Sequence, residues 1–319
     1  MSGQFLITGG AGFIGSHVAE ALLGRGDQVV VLDNFNDFYD PKLKRANAAL
    51  VQQAGGEVVE GDIRDGDLVK KLIVERGFDG VIHLAAMAGV RPSLDDPLLY
   101  QDVNLRGTTL ILEALQQRPA TRLVFASSSS VYGGNEKVPF HEDDDVSYPV
   151  SPYAATKRAG ELICWTFHHL YSIPTTCLRF FTVYGPRQRP EMAIHRFVRC
   201  VHEGQPIPFF GDGSSRRDYT FVSDIVGGVV QALDQCGSYA IYNLGESATT
   251  TLSELVTQIG EACGQEPLLN RLPQQPGDVP VTFADISRAR KELGYDPQVP
   301  VAQGLKCFVE WYRSQAPGT

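Results

Sequence analysis

Tyr153 and Lys157, four apart in "SPYAATKRAGE", carry the most suggestive chemistry in the chain. Residues four apart share one face of a helix. Ser151 followed by Pro152 is a helix-start signature, an N-cap and then proline at the first helical position. Tyr153 would then lie in the first turn, where the helix dipole favours negative charge. The Lys157 ammonium and a bound cationic ring would lower the phenol's pKa further, so that Tyr153 can act as a base near neutral pH. With 12 tyrosines in the chain, an amphipathic surface pair would give the same spacing by chance.

A second feature is "LVFASSSSVYGG", an apolar strand ending in Ser127, Ser128, Ser129 and Ser130. A hydroxyl buried without a partner costs free energy, so the row either makes a turn or faces a polar ligand. A third is "ITGGAGFIGSH", with Gly9, Gly12 and Gly15 directly after a strand and opening a helix. Glycines there let the backbone approach a pyrophosphate at the helix N-terminus. Asp33 ends the next strand, 18 residues after Gly15. A carboxylate there would accept from the ribose hydroxyls and repel a 2′-phosphate, which favours NAD over NADP. In "GDIRD", Asp62 and Ile63 are placed to hold the adenine, with a plain turn role for Asp62 as the alternative.

The elements that must position these residues are legible as alternation. "FLIT", "QVVVLD", "EVVEGD", "GVIHLAA", "RLVFASS" and "TTCLRFF" are apolar runs separated by helix-length stretches. That rhythm predicts an α/β fold, a Rossmann-type doubly wound parallel sheet covered on both faces. After about residue 182 loops dominate, which predicts a smaller C-terminal substrate lobe over the sheet's C-terminal edge. The expected division is a dinucleotide-binding domain of 1–181 with 217–243, and a substrate lobe of 182–216 and 244–319.

Composition narrows the class. The chain has 319 residues and 43% hydrophobic content, and no apolar run approaches the roughly 18 residues of a membrane helix. "MSGQFLITGG" does not read as a signal peptide. Six scattered cysteines without a C-x-x-C pair argue against zinc or a disulfide framework and for a reducing cytoplasm. A net charge of −9 repels nucleic acid and anionic membranes, so an anionic substrate needs a local cluster of arginines. "HEDDD" (His141 to Asp145) reads as a solvated acidic loop, and no metal is expected. His83, on an apolar strand, reads as a satisfied core histidine.

"TGGAGFIGSH", "SSSSVYG" and "YAATK" together resemble the extended short-chain dehydrogenase/reductase family of nucleotide-sugar epimerases and dehydratases, over nearly the whole chain. The resemblance implies a catalytic set of Ser128, Tyr153 and Lys157. Ser128 would hydrogen-bond the sugar 4-hydroxyl, Tyr153 remove its proton and Lys157 orient the nicotinamide ribose. It implies NAD contacts from Gly9, Gly12, Phe13, Ile14, Gly15, Asp33, Asn34, Asp62, Ile63, Leu84, Ala85, Ala86 and Asn104, besides Tyr153 and Lys157. Asn104 could alternatively do no more than satisfy backbone groups.

Dehydratases and decarboxylases of this family carry acidic residues just after the catalytic Ser/Thr, where this chain has Ser129 and Ser130. Hydroxyls cannot do that acid–base work at neutral pH, which leaves reversible oxidation at C4. "DNFNDFYDPKLKRAN", "AAMAGVRPSLDDP", "RFFTVYGPRQRPEMA" and "QPGDVP" are similar to the UDP-glucuronate 4-epimerases, with a UDP-glucose/UDP-galactose or dual-specificity 4-epimerase as the alternative. Ser129, Ser130 and Thr182 would then receive the C5 carboxylate, since an ionised acceptor strengthens such bonds. The resemblance implies Arg91, Arg189, Arg217 and Asp278 for the diphosphate and uridine, with Arg187 and Arg216 left to solvent. It also implies a homodimer packed through the helix from Pro152 and the helix over roughly Pro97 to Gln117. Leu110, Ile111, Leu162 and Ile163 fit either that interface or an internal core.

Overall fold

The computed structural model describes residues 2–274 and 279–315. Six of its sheet strands are those the apolar runs predict: β1 (Gln4–Thr8), β2 (Gln28–Asp33), β3 (Glu57–Glu60), β4 (Gly80–His83), β5 (Arg122–Ser128) and β6 (Thr175–Phe180). A seventh, Tyr239–Leu244, pairs with β6, and all pairings are parallel. The spatial order runs from Tyr239–Leu244 through β6, β5, β4, β1 and β2 to β3. It reverses between β1 and β4, and ligands of such sheets bind in the crevice outside the strand ends at that switch point.

Because successive side chains alternate faces, each strand feeds two cores. Phe5, Ile7, Val29 and Val31 join the core on one face, and Leu6, Val30 and Leu32 the core on the other. The first core continues without a seam into the later chain through Phe197, Phe209, Leu255 and Phe308. These lie on Ala193–His202, Ile207–Phe210, Leu252–Cys263 and Val301–Gln315, which form the smaller layer with short two-stranded pairings. Helix Leu252–Cys263 opens with a capping box between Thr251 and Glu254.

Two helices frame the site. α1 (Phe13–Gly24) follows the glycine turn, and α2 (Pro41–Gln53) follows β2. The predicted helix from Pro152 runs Pro152–Tyr171, with the Ser151 hydroxyl accepting the Ala154 N–H at 3.1 Å. The stretch expected as one helix from Pro97 to Gln117 is Pro97–Gln101, a π-helical segment Asp102–Gly107 and Thr108–Gln116. Ile111 there is core, whereas Leu162 on the Pro152 helix is exposed.

The acidic loop corrects one expectation. Asp143 and Asp145 face solvent, but Glu142 turns inward, where its Oε1 accepts the Asn243 N–H at 2.8 Å. It terminates an otherwise unpaired strand N–H, and burial raises its carboxyl pKa. Among the described residues no group of His, Cys, Asp and Glu has the arrangement of a metal site, and no helix is long and apolar enough to cross a membrane.

Candidate active site

One cavity of about 380 Å³ opens at the C-terminal ends of β1, β2, β4 and β5. Its floor is the glycine turn. Gly9 has φ +68°, and a Cβ there would sit 2.7 Å from the Ala85 backbone nitrogen. A Cβ on Gly15 would sit 2.4 Å from the Gly9 carbonyl oxygen. Gly12 caps α1 without a side chain, so the first-turn N–H groups face the cavity that Phe13, Ile14 and Gly15 line.

Asp33 closes one end. Its carboxylate accepts the N–H of Phe35 at 2.9 Å and of Ala11 at 3.2 Å. Burial raises its pKa, while those bonds and the charges of Lys44 and Arg45 oppose the rise. Asn34, Ile63, Leu84, Ala85 and Ala86 also line the cavity. Asp62 does not: Arg64 holds its carboxylate at 2.8 Å and Asn34 at 2.9 Å, which keeps its pKa well below the usual range. Asn104 is also outside the cavity. It clamps Met87 through N–H and C=O at 2.8 and 2.9 Å and donates to the Thr156 hydroxyl at 3.0 Å. It thereby braces the loop after β4 against the Pro152 helix.

At the other end stand Ser128, Tyr153 and Lys157, brought together from β5 and the Pro152 helix. The Ser128 hydroxyl is near enough to Tyr153 to favour its ionised form. Ser128 Oγ lies 3.1 Å from the Ser130 hydroxyl and accepts the Ser130 N–H at 3.1 Å. The Lys157 ammonium donates to the Ala126 carbonyl at 2.7 Å, and burial lowers its pKa to about 8. Within the protein alone burial raises the Tyr153 pKa, and the opposing influences are the nearby Ser128 hydroxyl and the charge of Arg189. Lys157 lies 6.0 Å from the tyrosine ring centre with its charge turned to the strand carbonyl.

The serine row divides its work. Ser127 donates to the buried Glu161 at 2.6 Å, and Glu161 in turn binds Arg179 through both oxygens at 2.8 and 2.9 Å. Ser129, Ser130 and Thr182 line the cavity, as does Arg189, whose guanidinium lies 5.7 Å from the Phe38 ring centre and 3.3 Å from the Glu191 carboxylate. Arg91 and Arg217 do not reach it; the Arg217 Nη1 donates to the Arg216 carbonyl at 2.8 Å and the Pro280 carbonyl at 3.3 Å. Asp278 lies outside the described residues. Arg216 is exposed, as expected, but Arg187 is not in solvent: it is paired with Glu20 on α1 at 2.8 Å. His83 is buried between the hydroxyls of Thr8 and Thr108 at 2.7 and 2.8 Å, and burial lowers its pKa to about 3.

A family model described as the NAD dependent epimerase/dehydratase family matches residues 5–245. The chain belongs to that family. It is 46% identical to UDP-glucuronate 4-epimerase 1 of Arabidopsis thaliana over 329 residues, covering 97% of this chain and 76% of that one. The Bacillus cereus UDP-glucuronic acid 4-epimerase, solved with UDP-glucuronic acid and NAD, superposes with a TM-score of 0.91 at 35% identity, covering 98% and 99% of the two chains. The Thermotoga maritima UDP-glucose 4-epimerase, solved with UDP-glucose, gives 0.90 at 31% identity, covering 98% and 100%.

The glycine cradle, which side chains would fill, and Asp33 fit the dinucleotide on which an NAD-dependent epimerase/dehydratase relies. Sequence reasoning missed Asn36, Phe38, Tyr39, Lys44 and Met192, which also line the cavity. "DNFNDFYDPKLKRAN" held the signal for four of them, but loop composition does not reveal which side a side chain faces. Lys44 is buried by donating to the Asn36 side chain at 2.7 Å and its carbonyl at 3.0 Å.

Proposed function

We propose that the chain is an NAD-dependent UDP-glucuronate 4-epimerase, inverting C4 to give UDP-galacturonate. The observation that carries this reading is the make-up of the cavity around Tyr153. Ser129, Ser130, Thr182 and Arg189 line the cavity with Tyr153 and offer hydroxyls and a cation, and among the described lining residues the single carboxylate is Asp33, at the end of β2. That arrangement suits an anionic C5 substituent and lacks the acid–base pair that elimination needs.

Bound NAD supplies the acceptor for the C4 hydride and a positive ring charge. Tyr153 takes the O4 proton while Ser128 holds that oxygen. The 4-keto sugar then turns about its bonds to the diphosphate. Tyr153 returns the proton once the hydride has come back on the other face, so atoms and electrons balance within one substrate. Lys157 orients the ribose and Asp33 receives the adenosine hydroxyls. For a uronate the intermediate is a β-keto acid, and Ser129, Ser130 and Thr182 hold its carboxylate out of the geometry that releases CO2. Arg217 and Arg91 are assigned to the diphosphate and uridine, and Asp278 to a ribose hydroxyl.

We propose a division of labour in which 1–181 with 217–243 binds NAD, and 182–216 with 244–319 binds the nucleotide sugar. We assign a cytoplasmic homodimer, in keeping with six free thiols and with exposed Leu98, Leu162 and Trp165 on the two candidate interface helices.

The test is incubation with UDP-glucuronate, UDP-glucose and UDP-xylose separately, with products read by NMR. UDP-galacturonate from the first and little change in the others is expected, with UDP-pentose appearing when Ser129, Ser130 or Thr182 becomes alanine. Fast interconversion of UDP-glucose and UDP-galactose with inert UDP-glucuronate would overturn the substrate.

A further inference from the structure

Two arginines stand two apart in "YGPRQRP" and serve opposite sides of one turn. Arg189 lines the cavity, where its charge favours ionised Tyr153. Arg187 faces α1: its Nη2 donates to the two Glu20 oxygens at 2.8 and 3.0 Å, and its Nη1 to the Ser16 hydroxyl at 3.2 Å. Its side chain keeps 16% exposure. Next to it the Pro186 carbonyl meets His17 Nε2 at 3.0 Å. Ser16, His17 and Glu20 all belong to the helix whose N-terminus is the glycine cradle.

The backbone of the turn is not relaxed. Arg187 has φ +67°, a region where a side chain crowds its own backbone, so surrounding contacts must hold it there. Between the arginines, Gln188 is buried. Its side-chain amide donates to the Val183 carbonyl at 3.1 Å, and its own carbonyl lies 2.7 Å from His195 Nδ1. The turn is thus pinned to α1 on one side and to the strand Thr182–Tyr184 and helix Ala193–His202 on the other.

We propose that Arg187 is a positioning residue: its ion pair with Glu20 locks this turn to the cofactor helix and so holds the Arg189 guanidinium at the substrate end of the cavity. This rests on the reading of Arg189 as a substrate contact. Arginine suits the task because its planar fork reaches Ser16 and Glu20 together, which an ammonium group cannot.

The test compares Arg187→Ala, Arg187→Lys, Glu20→Gln, the double variant Arg187→Ala/Glu20→Gln and, as reference, Arg189→Ala. KM is measured on the UDP-sugar that the unaltered enzyme inverts, alongside kcat and a thermal melt. Arg189→Ala should raise KM by about tenfold, and Arg187→Ala and Glu20→Gln each by several-fold, with kcat changed less than KM. The double variant should be no worse than Arg187→Ala, because contacting partners do not add, and Arg187→Lys should restore part of the loss. An unchanged KM in Arg187→Ala beside a raised KM in Arg189→Ala would overturn the lock while sparing Arg189. An unchanged KM in Arg189→Ala would remove the substrate role of Arg189 and the lock with it. Additive effects, or a lowered melting temperature with no change in KM, would show a structural pair only.

Discussion

Tyr153 and Lys157 are legible in sequence because a four-residue spacing on a capped helix fixes one shared face. Their electrostatics were not legible, because spacing says nothing of burial. Lys157 is held by the Ala126 carbonyl in an apolar setting, 5.3 Å from the Phe125 ring centre, which disfavours its charged form. Its pKa falls to about 8 from the ordinary 10.5. The unfolded chain keeps that proton up to about pH 10.5, the folded chain up to about 8. The cost of burying the charge is therefore fully present below pH 8 and is relieved as pH rises through that window. Lys157→Met removes this dependence. Its stability relative to the native protein should be constant below about pH 8 and then fall by about 3 kcal/mol as pH approaches 10.5, since each pKa unit is worth about 1.4 kcal/mol. Thermal or urea unfolding of both proteins at pH 7, 9 and 10 measures this. A difference that stays flat across that range would mean the ammonium is not buried in the folded enzyme. Arg187 shows the same limit of sequence reading: a charged residue in a proline-flanked loop defaults to solvent, and nothing local announces a partner 167 residues earlier.

At the scale of elements, continuous apolar runs identify strands buried on both faces, and six of seven were found this way. The seventh, Tyr239–Leu244, lies at the sheet edge with its first three residues only half buried, so its pattern is too mixed to stand out. The glycine turn was legible because its requirement is steric. A Cβ on Gly15 would meet the Gly9 carbonyl oxygen at 2.4 Å and the Gly10 Cα at 2.7 Å, and backbone atoms cannot swing aside as a side chain can. Gly15→Ala should therefore open the cradle: the purified variant would carry less than a tenth of the NAD of the native protein, by the nucleotide released on heat denaturation. Full NAD content in that variant would show that the turn tolerates the methyl group and does not form the cradle. The π-helical segment through Asn104 was missed, since its register serves a brace to Met87 and Thr156 that no periodicity encodes.

For the whole molecule, the two expected lobes share one apolar core from Ile7 to Phe308, which a change of rhythm along the chain does not reveal. The same holds for the site, whose residues run from Gly9 to Met192 and meet because the sheet order reverses beside β1. Charge also reads differently at this scale. The chain carries −9, yet the cavity is lined by Lys44, Lys157 and Arg189 against Asp33, so the local field favours anionic ligands that the global field opposes. The central claim is that C4 is oxidised and reduced again by one hydride kept within the site. It is tested most directly with UDP-glucuronate carrying deuterium at C4, incubated in ordinary water and read by NMR and mass spectrometry. The account predicts UDP-galacturonate that retains the deuterium at C4, and no conversion by Tyr153→Phe. Product whose C4 deuterium has exchanged with water, or a Tyr153→Phe protein that inverts the sugar at full rate, would contradict it.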